Sequence, residues 1–196
     1  FDVGRKFQTK ETLMKFLDIM AYYKMNVFHF HITDDEGWRL EIEELPELTQ
    51  IGAFRGHTLD DSEYLAPAYG SGAFPDPEIS YGSGFYTRQD FIEILQFAAA
   101  RHIEVIPEVN MPGHARAAIK AMEYRYRKLM QEGKKEEAEK YLLSDPDDQS
   151  EYSSAQLYND NIICVCKDAP YTFYETVVDD IIEIYKEAGL TLKTLH

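Results

Sequence analysis

The chain has 196 residues, 44% of them apolar and 13% aromatic, which is enough to close a hydrophobic core. Acidic residues outnumber basic ones 35 to 20, a formal net charge of -15. This excludes nucleic acid and anionic membrane surfaces as partners, since both are bound through clustered Lys and Arg, and no apolar run approaches the roughly 18–20 residues that would insert into a bilayer.

Phe1-Asp2-Val3 reads as a first strand with Arg5 just after it. Thr9 is placed to cap a helix over residues 10–23, where Leu13, Phe16, Leu17, Met20 and Ala21 recur on one face. The aromatic and β-branched run Asn26-Val27-Phe28-His29-Phe30-His31-Ile32 predicts a strand buried on both sides. Residues 56–84, rich in Gly, Pro, Ser, Asp and Tyr, read as a long loop. Thr87 and Asp90 form a capping-box pattern ahead of an apolar stripe of Phe91, Ile94, Leu95 and Ala98. A second buried strand is expected at Glu104-Val105-Ile106-Pro107.

Residues 115–143 are helical in pattern but highly charged, and read as a solvated helical insertion with ion pairs four residues apart. Cys164 and Cys166 sit at a spacing that would strain a mutual disulfide and leave a metal short of ligands, so they read as small core or strand residues. Val177, Val178, Ile181, Ile182 and Tyr185 mark a last amphipathic helix that Gly189 is placed to end. Leu190 through Thr194 read as the opening of another buried strand. Strands alternating with helices signal βαβ units around a parallel sheet. Arg5, Asp34 and the segment Glu108 to His114 each follow a strand, where an α/β fold of the (β/α)8 barrel type carries its active site; about four β/α units fit in the chain.

Three segments carry candidate chemistry. His29 and His31 share a strand face, so the His-x-His pair suits either a divalent metal or buried hydrogen bonds. Asp34 and Asp35 form either a solvated turn or one inward carboxylate with an outward neighbour. Pro107-Glu108-Val109-Asn110-Met111-Pro112-Gly113-His114 fixes His114 between stiff residues, as a tight turn or a catalytic relay requires.

Taken in order, Phe1 through Phe7, Asp18 through Arg39, Pro46-Glu47-Leu48, Phe85-Tyr86-Thr87, Pro107 through His114, Cys164 through Asp168 and Tyr171-Thr172-Phe173 resemble the catalytic barrel of family 20 glycoside hydrolases, the β-N-acetylhexosaminidases. The resemblance implies an exo-acting enzyme that removes terminal N-acetylglucosamine or N-acetylgalactosamine with retention, the substrate's own acetamido oxygen acting as nucleophile. It implies that Arg5 binds sugar hydroxyls, that Asp34 and His114 support the general acid, and that His31, Glu108 and Asn110 stand near the pocket; many relatives carry Asp where this chain has Asn110. The family's Asp-Glu pair follows a strand ending in His. His196 matches that His, so the pair is expected beyond residue 196. Residues 1–196 are then the N-terminal part of the barrel, inert alone, using no cofactor and directed at N-acetylhexosamine-terminated glycans. A periplasmic or secreted location is implied, as is self-association through unpaired strand edges. Two other classes remain open at this point: a silent carbohydrate-binding homologue, and a metal-dependent barrel hydrolase using His29 and His31.

Overall fold

The computed structural model describes residues 1–196. Helix α1 spans Lys10–Tyr22, and the Thr9 side chain accepts a hydrogen bond from the Thr12 amide at its start. Such a cap is worth about 1 kcal/mol. Leu13, Leu17 and Met20 are buried, with Phe16 and Ala21 packed against the core from half-buried positions. Strand β1 (Val27–His31) follows, then a short antiparallel hairpin of β2 (Thr33–Asp34) and β3 (Gly37–Trp38). After α2 (Glu47–Gln50) the chain enters the expected loop, whose backbone makes one parallel bridge from Arg55 to Leu65.

Helix α3 (Arg88–Ala99) begins in the capping box expected of Thr87 and Asp90 and buries Phe91, Ile94, Leu95 and Ala98. Strand β4 spans Glu104–Glu108; α4 (Arg116–Gln131) and α5 (Lys135–Glu139) follow. Helix α6 (Ala169–Glu187) buries Val177, Ile181 and Tyr185, leaving Val178 and Ile182 half-buried. It ends as expected: Gly189 takes φ +76°, and the amides of Gly189 and Leu190 turn back to the carbonyls of Lys186 and Tyr185.

Strand β1 pairs in parallel with β4, Phe28 opposite Val105 and Phe30 opposite Pro107. On the outer edge of β1, Val3 donates to the His31 carbonyl and His31 to that of Phe1, a parallel bridge. On the far edge of β4, the His196 amide donates to Pro107 and the Val109 amide to His196, each at 2.9 Å. Four segments therefore lie side by side in sequence order, their ends pointing the same way.

The structure corrects three expectations. Strand β1 is covered on one face only: Phe28 and Phe30 meet Phe16 of α1 and Phe91 of α3, whereas Val27 and His29 are exposed. The insertion is solvated only in its middle, because the first turns of α4 bury Ala117, Ala118, Ile119, Ala121 and Met122 in the core and Ala138 and Tyr141 to Leu143 are buried again at its end. Cys164 and Cys166 lie in a turn ahead of α6, half-exposed and exposed, and belong neither to a strand nor to the core.

Candidate active site

The hairpin of β2 and β3 turns at Asp35 and Glu36, and the turn is not solvated. Asp34 and Asp35 are each only 1% exposed and Glu36 only 2%. Both sequence readings of the acidic pair therefore give way to a third, in which two adjacent carboxylates point inward to different partners. Three buried acids in a row hold together only because donors from distant parts of the chain reach them.

Asp34 receives the Arg5 guanidinium at 2.7 Å, His31 Nε2 at 3.4 Å and the Asn110 side-chain amide at 3.4 Å. Asp35 accepts from the Asn161 side-chain amide at 2.9 Å, from His114 Nδ1 at 3.1 Å and from the Arg116 amide at 3.2 Å. The last of these caps α4 from outside, since Ala115 at its N-cap offers no side-chain oxygen. A carboxylate accepts only, so His114 Nδ1 carries the proton and Nε2 is left as the acceptor. Asp34 lies slightly farther from His114, at 3.4 Å.

Arg5 is clasped by Asp2 at 2.7 Å as well as by Asp34, with Glu36 at 3.8 Å. Together with His31, Asp34, Glu108, Asn110 and His114 it lines an open cavity of about 520 Å³ at the strand ends. Burial opposes charge on Asp2, yet hydrogen bonds from His31 and Arg5 hold its carboxyl well below the usual range. Burial likewise opposes the His31 imidazolium, but Asp2, Glu108 and Asp34 together raise its pKa. Asp34 is pushed up, chiefly by burial.

Glu36 is pushed up to about 7 by burial and then by the neighbouring charges of Asp34 and Asp35; its Oε2 finds no hydrogen-bond donor. Between its unfolded value of 4.5 and about 7, the folded chain holds more protons than the unfolded one, so this group makes stability fall as pH rises through that window. Glu36→Gln is therefore expected to be the more stable form at pH 8 by on the order of 2 kcal/mol, with the gap closing towards pH 4. Urea unfolding of both forms across this range measures the difference, and parallel curves would refute the assignment. Asp2, His31 and Arg5 are common to both proteins and cancel.

Of the two readings of the His29 and His31 pair, the structure shows the hydrogen-bonded one. His29 Nε2 meets Glu108 at 2.6 Å, with His196 Nδ1 3.6 Å from the same carboxylate, whereas His31 turns to Asp2, Asn110 and Asp34. They share a face as expected and both approach Glu108, His29 at 2.6 Å and His31 at 3.7 Å, while His31 is held mainly by Asp2, Asn110 and Asp34; nothing supports a metal held jointly by His29 and His31. Sequence reasoning missed Asn161 and Arg116, which reach Asp35 from 126 and 81 residues away. The one local signal was Arg116 lying two residues after His114. Also missed was the ion-pair array behind the site, in which Arg116 bridges Asp61 at 2.6 Å and Asp160 at 2.8 Å.

Comparison with known proteins gives a consistent picture. The model of the family described as "Glycosyl hydrolase family 20, catalytic domain" matches residues 1–195. The chain is 53% identical over its whole length to a beta-hexosaminidase of Vibrio vulnificus and 47% identical to an N,N'-diacetylchitobiase of Vibrio harveyi, covering 23% and 22% of those proteins. Among solved structures it superposes on the exo beta-N-acetylglucosaminidase of Vibrio harveyi in complex with N-acetylglucosamine, with a TM-score of 0.76, 37% identity, and 93% of this chain and 24% of that one covered. It also matches a Streptomyces plicatus beta-hexosaminidase in complex with its product, with a TM-score of 0.62, 29% identity, and 93% and 29% covered. The chain thus spans about a quarter of the length of these relatives.

Proposed function

Because the chain belongs to glycosyl hydrolase family 20 and its fold is that of the family's (β/α)8-barrel catalytic domain, we propose that it forms the first three β/α units and the fourth strand of an exo-acting β-N-acetylhexosaminidase. The observation that carries this reading is the convergence of Arg5, Asp34 and His114, from segments up to 109 residues apart in sequence, on one cavity at the strand ends, with Asp35 holding His114 from behind. The activities for which the relatives are named point to a terminal N-acetylglucosamine, such as that of diacetylchitobiose, as the sugar removed.

Arg5 offers a planar fork of donors whose free edge suits vicinal sugar hydroxyls, while Asp2 and Asp34 fix its plane. His114, held in one tautomer by Asp35, stands where it would support a general acid; in this reading the acid and the carboxylate that steadies the acetamido group follow His196. Hydrolysis then proceeds by attack of the acetamido oxygen on the anomeric carbon as the acid protonates the leaving oxygen, and water reopens the cyclic intermediate. No metal or cofactor takes part in this scheme.

The test is hydrolysis of a chromogenic N-acetylglucosaminide by residues 1–196 alone and by the longer polypeptide that continues them. The longer protein is expected to turn over, and Arg5→Lys within it to raise KM about tenfold with kcat less affected, since one point charge replaces the fork. The short chain is expected to be inactive. Turnover by the short chain would place the acid among its own residues, and a longer protein that binds the sugar without cleaving it would make this a silent homologue.

A further inference from the structure

Cys164 and Cys166 take no part in these contacts, yet they stand at the neck of a loop that does. Residues 144–163 leave the core after Leu143 and return at Cys164, whose amide donates to the Leu143 carbonyl at 2.9 Å and closes the base. One step further out, Lys167 pairs with Asp145 at 2.8 Å. The returning limb runs along the candidate site: Ile163 donates to Pro112, Ala115 donates to Asn161, and the Asn161 side chain donates to Asp35.

The turn between the two cysteines is fixed by Tyr171, whose hydroxyl donates to the Val165 carbonyl at 3.1 Å. It sets both sulfurs on one side, 2.7 Å apart, with Cys166 exposed to solvent and Cys164 half-exposed beside it. Two thiols held this way need no rearrangement of the surrounding fold to react with each other. The spacing that suggests a strained pair in sequence is accommodated here by a turn.

We propose that Cys164 and Cys166 are a dithiol switch that closes to an intrachain disulfide by exchange with a low-molecular-weight disulfide such as oxidised glutathione, locking the turn at which the 144–163 loop returns to its base. The exposed Cys166, as thiolate, attacks one sulfur of glutathione disulfide and expels a first glutathione thiolate, leaving a mixed disulfide. Cys164 gives its proton to water, attacks Cys166 Sγ and expels the second. The protein loses two protons and two electrons, and the glutathione disulfide gains them as two thiols. The hydrogen bond shared with Cys164, in which the Cys166 thiol keeps its proton, holds that thiol above its ordinary pKa, so the exchange accelerates as pH rises.

The experiment equilibrates the purified protein with oxidised glutathione, alkylates remaining thiols with iodoacetamide after denaturation, and maps the peptide around Cys164 and Cys166 by mass. The expected result is a peptide lighter by two hydrogens, unalkylated, and restored to two alkylation sites by dithiothreitol. Cys166→Ser should leave Cys164 open to alkylation. Proteolysis within residues 144–163 should slow several-fold in the oxidised protein and not in oxidised Cys166→Ser. Two alkylated cysteines after equilibration, or a stable glutathione adduct on Cys166 with Cys164 free, would overturn the switch. Equal proteolysis of the oxidised and reduced protein would overturn its action on the loop.

Discussion

Replacing Asp35 by Asn in the full-length enzyme is expected to lower kcat by about two orders of magnitude, with a smaller effect on KM. Asp35 touches no part of the cavity wall directly; it acts through His114, whose Nδ1 proton it accepts at 3.1 Å. An amide in its place presents N–H to a ring nitrogen that must itself donate, which favours the opposite tautomer or turns the ring away. A carboxylate that fixes a histidine tautomer is worth up to about four orders of magnitude in enzymes where the histidine transfers the proton itself. A supporting histidine should show part of that.

A purely structural role for Asp35 predicts something different. Asn would then lower stability, by leaving the Arg116 amide and the Asn161 amide with one acceptor oxygen in place of two, and kcat per folded molecule would not change. The two readings separate in kcat and kcat/KM measured against pH on protein whose folded fraction is known. A profile that keeps both height and shape in Asp35→Asn would leave Asp34, 3.4 Å from the same Nδ1, as the carboxylate that serves His114.

Local chemistry was legible in the sequence. Thr9 and Thr87 cap the helices they precede, Gly189 ends α6 in a left-handed conformation, and the apolar stripes of α1 and α3 are the buried ones. Each depends on residues within one or two turns of one another. Legibility failed where the deciding neighbour is distant. The run at β1 looked apolar enough for two covered faces, but what covers a strand is a tertiary fact, and only the Phe28 and Phe30 side is packed. The charge of residues 115–143, averaged over the whole segment, hid the small apolar residues with which α4 enters the core. The presence of Asp34 and Asp35 at a strand end was readable, but their burial was not, because Arg5, Asn110, His114, Arg116 and Asn161 arrive from three separate stretches of chain.

The largest effect on stability is expected from Arg39. Its guanidinium is fully buried without a carboxylate partner and instead donates five hydrogen bonds to backbone carbonyls: Val3 and Gly4 from the first strand's end, Ala53, and Gly82 and Gly84 from the end of the long loop, all at 2.9–3.1 Å. Gly37 is required beside it, since a Cβ there would lie 2.3 Å from the guanidinium carbon. Arg39→Met keeps much of the volume but strands four buried carbonyls, each costing on the order of 1 kcal/mol or more; that of Ala53 still accepts from the Gly84 amide. The sum, about 4 kcal/mol or more, is a large share of the 5–15 kcal/mol that holds a typical domain together. Arg39→Lys should recover little, because one ammonium with three donors cannot reach carbonyls spread around a plane. Because two of the five acceptors flank the turn that carries Arg5, whatever fraction of Arg39→Lys stays folded should also bind the sugar more weakly. Urea midpoints measure the first effect and KM the second. A loss under about 1 kcal/mol in Arg39→Met would mean that water or neighbouring amides satisfy those carbonyls, and that the Arg5 turn is held by Asp2 and Asp34 alone.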